Sequence, residues 1–132
     1  MTSEHNFADM AVRHLGGLKT SALGFGCMGL SQGYGPVDDA ESVAAIHAAL
    51  DSGITMLDTA MSYGQGHNEE LVGRAVASSG VPREQIQIAT KFGIMRRDDG
   101  VGLDAHPERI ATYCDDSLRR LGTDIIDLYY LH

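Results

Sequence analysis

Four side chains in this sequence are of types that could together polarise a carbonyl group and hand it a proton: Asp58, Tyr63, Lys91 and His132. An unperturbed phenol has a pKa of about 10 and is a poor acid at neutrality. A nearby ammonium favours the phenolate, and Lys91 is the group that could supply it. At about 4 Å and an effective dielectric of about 20, that attraction is about 4 kcal/mol before desolvation. Asp58 would pair with Lys91 and keep it charged, and His132 would donate a hydrogen bond to a substrate oxygen. No side chain can supply a hydride, so a cofactor has to. Each residue also has an ordinary explanation: a helix cap for Asp58, packing for Tyr63, solvation for Lys91, a structural hydrogen bond for His132. The chemical reading rests on their conjunction.

The conjunction depends on placement. Asp58, Lys91 and His132 each follow an apolar run that reads as a strand (Ile54–Leu57, Ile86–Thr90 and Ile125–Leu131), and Tyr63 lies in the loop after the first of these. Adjacent strands lie about 5 Å apart, so polar residues at neighbouring strand ends can converge on one mouth.

The elements between these runs alternate. Gly16-Gly17 between Val12–Leu15 and Leu18–Ala22 predicts a hairpin. Leu23–Cys27 reads as a short strand, followed by a glycine-rich loop from Met28 to Val37. Asp38 with Glu41 has the spacing of a helix start, Val43, Ile46 and Leu50 recur at helical spacing, and Gly53 stops the run. A second helix carries Leu71, Val72, Ala75 and Val76, with Gly80 and Pro82 after it. The polar stretch around Arg96, Arg97, Asp98, Asp99 and Gly100 reads as a solvated loop. Pro107 opens a third helix, with Ile110, Cys114, Leu118 and Leu121 on one side, Arg119 and Arg120 in its last turn, and Gly122 at its end. Strand and helix thus alternate three times before a fourth strand, the pattern of a parallel α/β sheet.

Composition narrows the partners. The 132 residues are 43% apolar and 21% charged, enough to bury a core in one domain. A net charge of −8 argues against nucleic acid or an anionic membrane surface as the main partner. Cys27 and Cys114 form no CxxC pair, so neither a disulfide framework nor a metal site is implied. The first residues lack a signal-peptide core, and no apolar run is long enough to span a bilayer, so a cytoplasmic location is expected. Residues 1–11 read as a loose tail and 12–132 as the folded unit.

Several ordered motifs resemble the aldo-keto reductase family. They are Leu57-Asp58-Thr59-Ala60, Tyr63-Gly64, Asn68-Glu69-Glu70-Leu71 with Gly73-Arg74-Ala75, Ala89-Thr90-Lys91-Phe92-Gly93, and Ile126-Asp127-Leu128-Tyr129-Tyr130-Leu131-His132. Met61 stands where many relatives carry a polar or acidic residue. The resemblance implies the N-terminal half of a TIM-type (β/α)8 barrel, with the opening hairpin closing its bottom. It implies reduction of aldehydes or ketones with NADPH. Tyr63 would be the general acid, tuned by Lys91 and Asp58, and His132 would orient the carbonyl. Gly26, Cys27 and Met28, together with Asp58, would face the nicotinamide. Such a barrel needs about 250 residues, so the adenosine phosphate site is expected on late strands. The remaining strands would come from a C-terminal half-barrel chain or longer product, failing which the open sheet would self-associate. The alternatives are a non-catalytic fragment or a regulatory subunit of the same fold, as potassium-channel β subunits are.

One competing motif runs through Gly24-Phe25-Gly26-Cys27-Met28-Gly29, which spells G-x-G-x-x-G after a strand. In a dinucleotide-binding Rossmann unit that turn opens directly into a helix. Here Ser31 to Pro36 would have to intervene, and Tyr63, Lys91 and His132 would be left without a role.

Overall fold

The computed structural model describes residues 10–132. The tail expected over residues 1–11 lies, for residues 1–9, outside the described residues, whereas the carbonyl of Ala11 already accepts a hydrogen bond from Ala22 N (2.7 Å).

A β-hairpin comes first. Strands β1 (Val12–Leu15) and β2 (Leu18–Ser21) pair antiparallel, with Leu15 opposite Leu18. Gly16 takes φ +60°, the left-handed conformation that a two-residue turn demands. The hairpin is stitched to the sheet by side chains: Ser21 N donates to Thr55 Oγ1 and Thr55 N to Ser21 Oγ, both at 2.9 Å. Thr55 immediately precedes strand β4 (Met56–Asp58), so the hairpin sits at the end of the sheet where the strands begin.

The sheet consists of β3 (Gly24–Gly26), β4 (Met56–Asp58), β5 (Gln87–Phe92) and β8 (Leu128–Leu131), all parallel and in that spatial order. Helices α1 (Asp39–Asp51), α2 (His67–Ser78) and α3 (Ile110–Leu121) connect them. The cap at Asp38 forms as expected, its carboxylate accepting from Glu41 N at 3.0 Å. Helix α3 ends at Gly122 in the left-handed conformation, as a C-terminal glycine should.

The register explains which side chains meet. Gly26, Asp58 and Ala89 are aligned, as are Lys91 and Tyr130. Side chains alternate along a strand, so Phe25, Leu57, Ile88 and Thr90 face the helices while Gly26, Asp58, Lys91 and Tyr130 face the other side. The helix side holds the core: Ile46 and Leu50 of α1, Val72 and Ala75 of α2, and Leu121 of α3 enclose Leu57, Ile86, Ile88 and Cys27. Each such aliphatic side chain contributes roughly 1.5–3 kcal/mol on burial. Ile110, expected on the inner side of α3, is instead exposed, and the deepest positions of that helix are Ser117 and Leu121.

Three local expectations change. Residues 94–103 are not a loop but a second hairpin, β6 (Ile94–Arg97) with β7 (Gly100–Leu103), turning at Asp98-Asp99; its charged residues are solvent-exposed as expected. Ile125–Asp127 lie outside the fourth strand, because the Asp127 carboxylate accepts from Ile88 N (2.9 Å) and Arg83 Nη2 (2.8 Å), replacing a main-chain acceptor. The chain after β3 makes one short 3-10 turn (Met28–Leu30) and then a loop to Asp38, so no helix starts at Gly29 and the Rossmann arrangement is absent. No helix among the described residues is long and apolar enough to cross a membrane.

Candidate functional site

All four residues singled out by type meet at the end of the sheet opposite the first hairpin. Asp58 is the last residue of β4, Lys91 lies one residue before the end of β5, and His132 directly follows β8. His132 N donates to Phe92 O at 2.8 Å, extending the β5–β8 ladder and fixing the start of the imidazole side chain. Tyr63 opens a short turn (Tyr63–Gly66) whose Gly64, Gln65 and Gly66 all have positive φ, which swings the phenol back over the strand ends.

Lys91 is the hub. Its Nζ donates to Asp58 Oδ1 (2.6 Å), to the Thr59 carbonyl (2.9 Å) and to Tyr63 Oη (3.3 Å), using all three ammonium protons. Its side chain is only 12% exposed, so the pair with Asp58 is shielded more than a surface ion pair. The ammonium also lies 5.0 Å from the Tyr63 ring centre and 5.9 Å from that of Tyr130. The His132 and Tyr63 rings stand edge to face, centres 5.9 Å apart and planes at 86°. Burial, and next the Lys91 ammonium, hold the His132 imidazole below its ordinary pKa, against a smaller opposing pull from Asp58. A neutral imidazole carries one N–H to donate.

The residues expected to face a cofactor are placed unequally. Gly26 stands beside Asp58 in register, and the space where a side chain would sit is empty, leaving the sheet surface bare beside the carboxylate. Met28 is half-buried in the turn above. Cys27 presents only its backbone: its side chain is fully buried among the core residues, and its thiol donates to Phe25 O at 3.6 Å. Burial first, and the Asp58 carboxylate second, push that thiol up to about 12.

Behind this mouth lies a set of polar residues to which the sequence assigned no chemistry, although Asn68 and Glu69 belong to one of its family-like motifs. Asn68, fully buried, donates to Cys27 O (2.7 Å) and Ser31 Oγ (2.8 Å) and accepts from Thr59 Oγ1 (2.6 Å). Glu69, also fully buried, accepts from Thr90 Oγ1 and Arg120 Nε, both at 2.8 Å, tying α2 to β5 and α3. Ser31, His67 and Asp39 form a hydrogen-bonded line (2.7 and 2.9 Å) with the residue types of a hydrolytic triad. Its serine, however, is capped by the Asn68 amide, and the line reads as a strut.

Sequence comparison is decisive about kinship. Residues 22–132 match the sequence model of the Aldo/keto reductase family. The chain belongs to that family. It is 45% identical over 118 residues to the probable aldo-keto reductase 1 of Glycine max, covering 88% of this chain and 34% of the relative. Among solved structures, an aldo-keto reductase from Bacillus halodurans in its holo form superposes with TM-score 0.81 and 41% identity, over 93% of this chain and 40% of that one. An aldo-keto reductase from Klebsiella pneumoniae in complex with NADPH gives TM-score 0.68 and 31% identity, over 86% and 36%. The chain therefore spans between a third and two fifths of the length of these aldo-keto reductases, and its sheet and three helices are the N-terminal part of their barrel.

Proposed function

We propose that this chain supplies the catalytic corner of an NADPH-dependent oxidoreductase that reduces aldehydes or ketones to alcohols once the barrel is complete. The observation that carries the reading is the three-way donation of Lys91 Nζ to Asp58, Thr59 and Tyr63, with the His132 ring edge-on to the phenol.

Tyr63 acts as the general acid. Its hydroxyl already accepts from Lys91, so its own proton is free to point outward at a carbonyl oxygen. Lys91 stabilises the phenolate left after transfer, and Asp58 holds the ammonium in place. His132, neutral near pH 7, donates to the same carbonyl oxygen and fixes its direction. NADPH, when bound, supplies the hydride. The empty surface over Gly26, beside Asp58, suits the flat nicotinamide, with the Cys27 backbone and Met28 bordering it. The residues that would hold the adenosine phosphate are expected on later strands.

The test is Tyr63→Phe in the protein carrying its full barrel. NADPH oxidation with an aldehyde should fall by at least roughly 10²-fold, while NADPH binding followed by fluorescence stays unchanged. Undiminished turnover would exclude Tyr63 as the acid.

A further inference from the structure

The buried Asn68 touches both loops bordering the mouth, and the hydrogen bonds around it fix its orientation. Cys27 O can only accept, so the group 2.7 Å from it is the Asn68 NH₂. The same NH₂ donates to Ser31 Oγ, which leaves the Ser31 proton for His67 Nδ1. His67 therefore carries its proton on Nε2 and donates it to Asp39, which Arg74 also holds (2.8 Å). Donation thus runs from Asn68 outward to Asp39 at the surface and leaves Asn68 Oδ1 facing Thr59 Oγ1 at 2.6 Å. The carbonyl of the same Thr59 is the second acceptor of Lys91 Nζ.

We propose that Asn68, acting through Thr59, is a positioning residue that sets where Lys91 meets the Tyr63 phenol, and that through Cys27 O it separately sets the backbone over which the nicotinamide lies. The inference rests on the proposed reductase reading. It adds that two parameters of one reaction are controlled from opposite ends of one amide. Oδ1 holds Thr59 and thus the ammonium, which matters for the chemical step. Nδ2 holds Cys27 O and thus the floor beside Gly26, which matters for cofactor affinity. Glu69, the neighbouring buried polar residue, reaches Thr90 and Arg120 on the helix side instead.

The experiment uses the protein with its complete barrel, 4-nitrobenzaldehyde and NADPH. Thr59→Val removes the hydroxyl at nearly constant shape and leaves the carbonyl to drift. The expectation is a kcat lower by on the order of 10²-fold, with the KM for NADPH within about twofold. Thr59→Ser, which keeps the hydroxyl, should restore kcat. Asn68→Asp still accepts from Thr59 but turns a carboxylate oxygen toward Cys27 O, so it should raise the KM for NADPH about tenfold or more with a smaller change in kcat. If Thr59→Val does not fold, the Thr59→Ser and Asn68→Asp pair still decides, because the split between kcat and KM must appear in the latter alone. A purely structural role would lower the melting temperature and move kcat and KM together, or neither, and would overturn the proposal. Loss of turnover in Tyr63→Phe alongside full turnover in Thr59→Val would sink this inference while leaving the reductase reading intact.

Discussion

At the scale of single residues, two side chains have environments that set measurable chemistry. The Cys27 thiol is packed among aliphatic side chains and pushed up to about 12 by burial and by Asp58. Thiolate is the reactive form, so at pH 8 Cys27 in the folded chain should resist Ellman's reagent and react only after denaturation. Rapid labelling of Cys27 in the native state, located by peptide mass, would contradict that packing. His132 behaves in the opposite sense. Its folded-state pKa lies below the ordinary value, so just below about pH 6.5 the unfolded chain binds more protons than the folded one. Stability from His132 is thus present above that pH and lost as acid carries the imidazole through its folded pKa. A proton NMR titration should place the His132 midpoint below that of an unstructured histidine. A midpoint at or above the ordinary value would show that burial and Lys91 together do not outweigh Asp58 at the ring.

At the scale of elements, the sequence revealed what is periodic and hid what is paired across distance. The capping spacing at Asp38, the stop at Gly53 and the apolar rows of α1 and α2 are local signals, and those elements stand where the spacing put them. The β6–β7 hairpin was hard to read because its turn is Asp98-Asp99, with Gly100 already paired to Arg97, and the charged Arg96–Asp99 run masked it as solvated loop. Asn68 and Glu69 stood in one of the family-like motifs, but their part in the fold was hidden for a different reason. Polar residues in the first turn of a helix read as solvated or dipole-favoured, and only the arrival of Thr59, Thr90 and Arg120 from other elements makes them buried partners. The helix crossing itself depends on Gly73, where an added Cβ would lie 2.4 Å from Leu121 O, a backbone atom that cannot step aside. Gly73→Ala should therefore separate α2 from α3 and cost about 1–3 kcal/mol in a urea unfolding titration. A change below about 0.5 kcal/mol would mean that the helices have room to give.

At the scale of the whole molecule, the order β3-β4-β5-β8 leaves β3 and β8 without outer partners among the described residues. Apolar side chains are bare near both edges: Leu23 is 61% exposed, Leu131 64% and Ile125 59%. Unpaired parallel edges beside exposed apolar residues favour association, and a net charge of −8 opposes it. Salt decides between the two, because it screens the repulsion between copies and leaves the edge pairing and apolar contact nearly untouched. The 132-residue chain should then show an average mass by light scattering that rises with protein concentration above its 14.1 kDa, and more steeply at high salt than at low. Leu131→Lys adds a charge to the free β8 edge and should bring the mass back toward the monomer at the same salt. A wild-type chain that stays monomeric at high salt, or association that falls as salt is added, would show that the open sheet is not what drives these copies together.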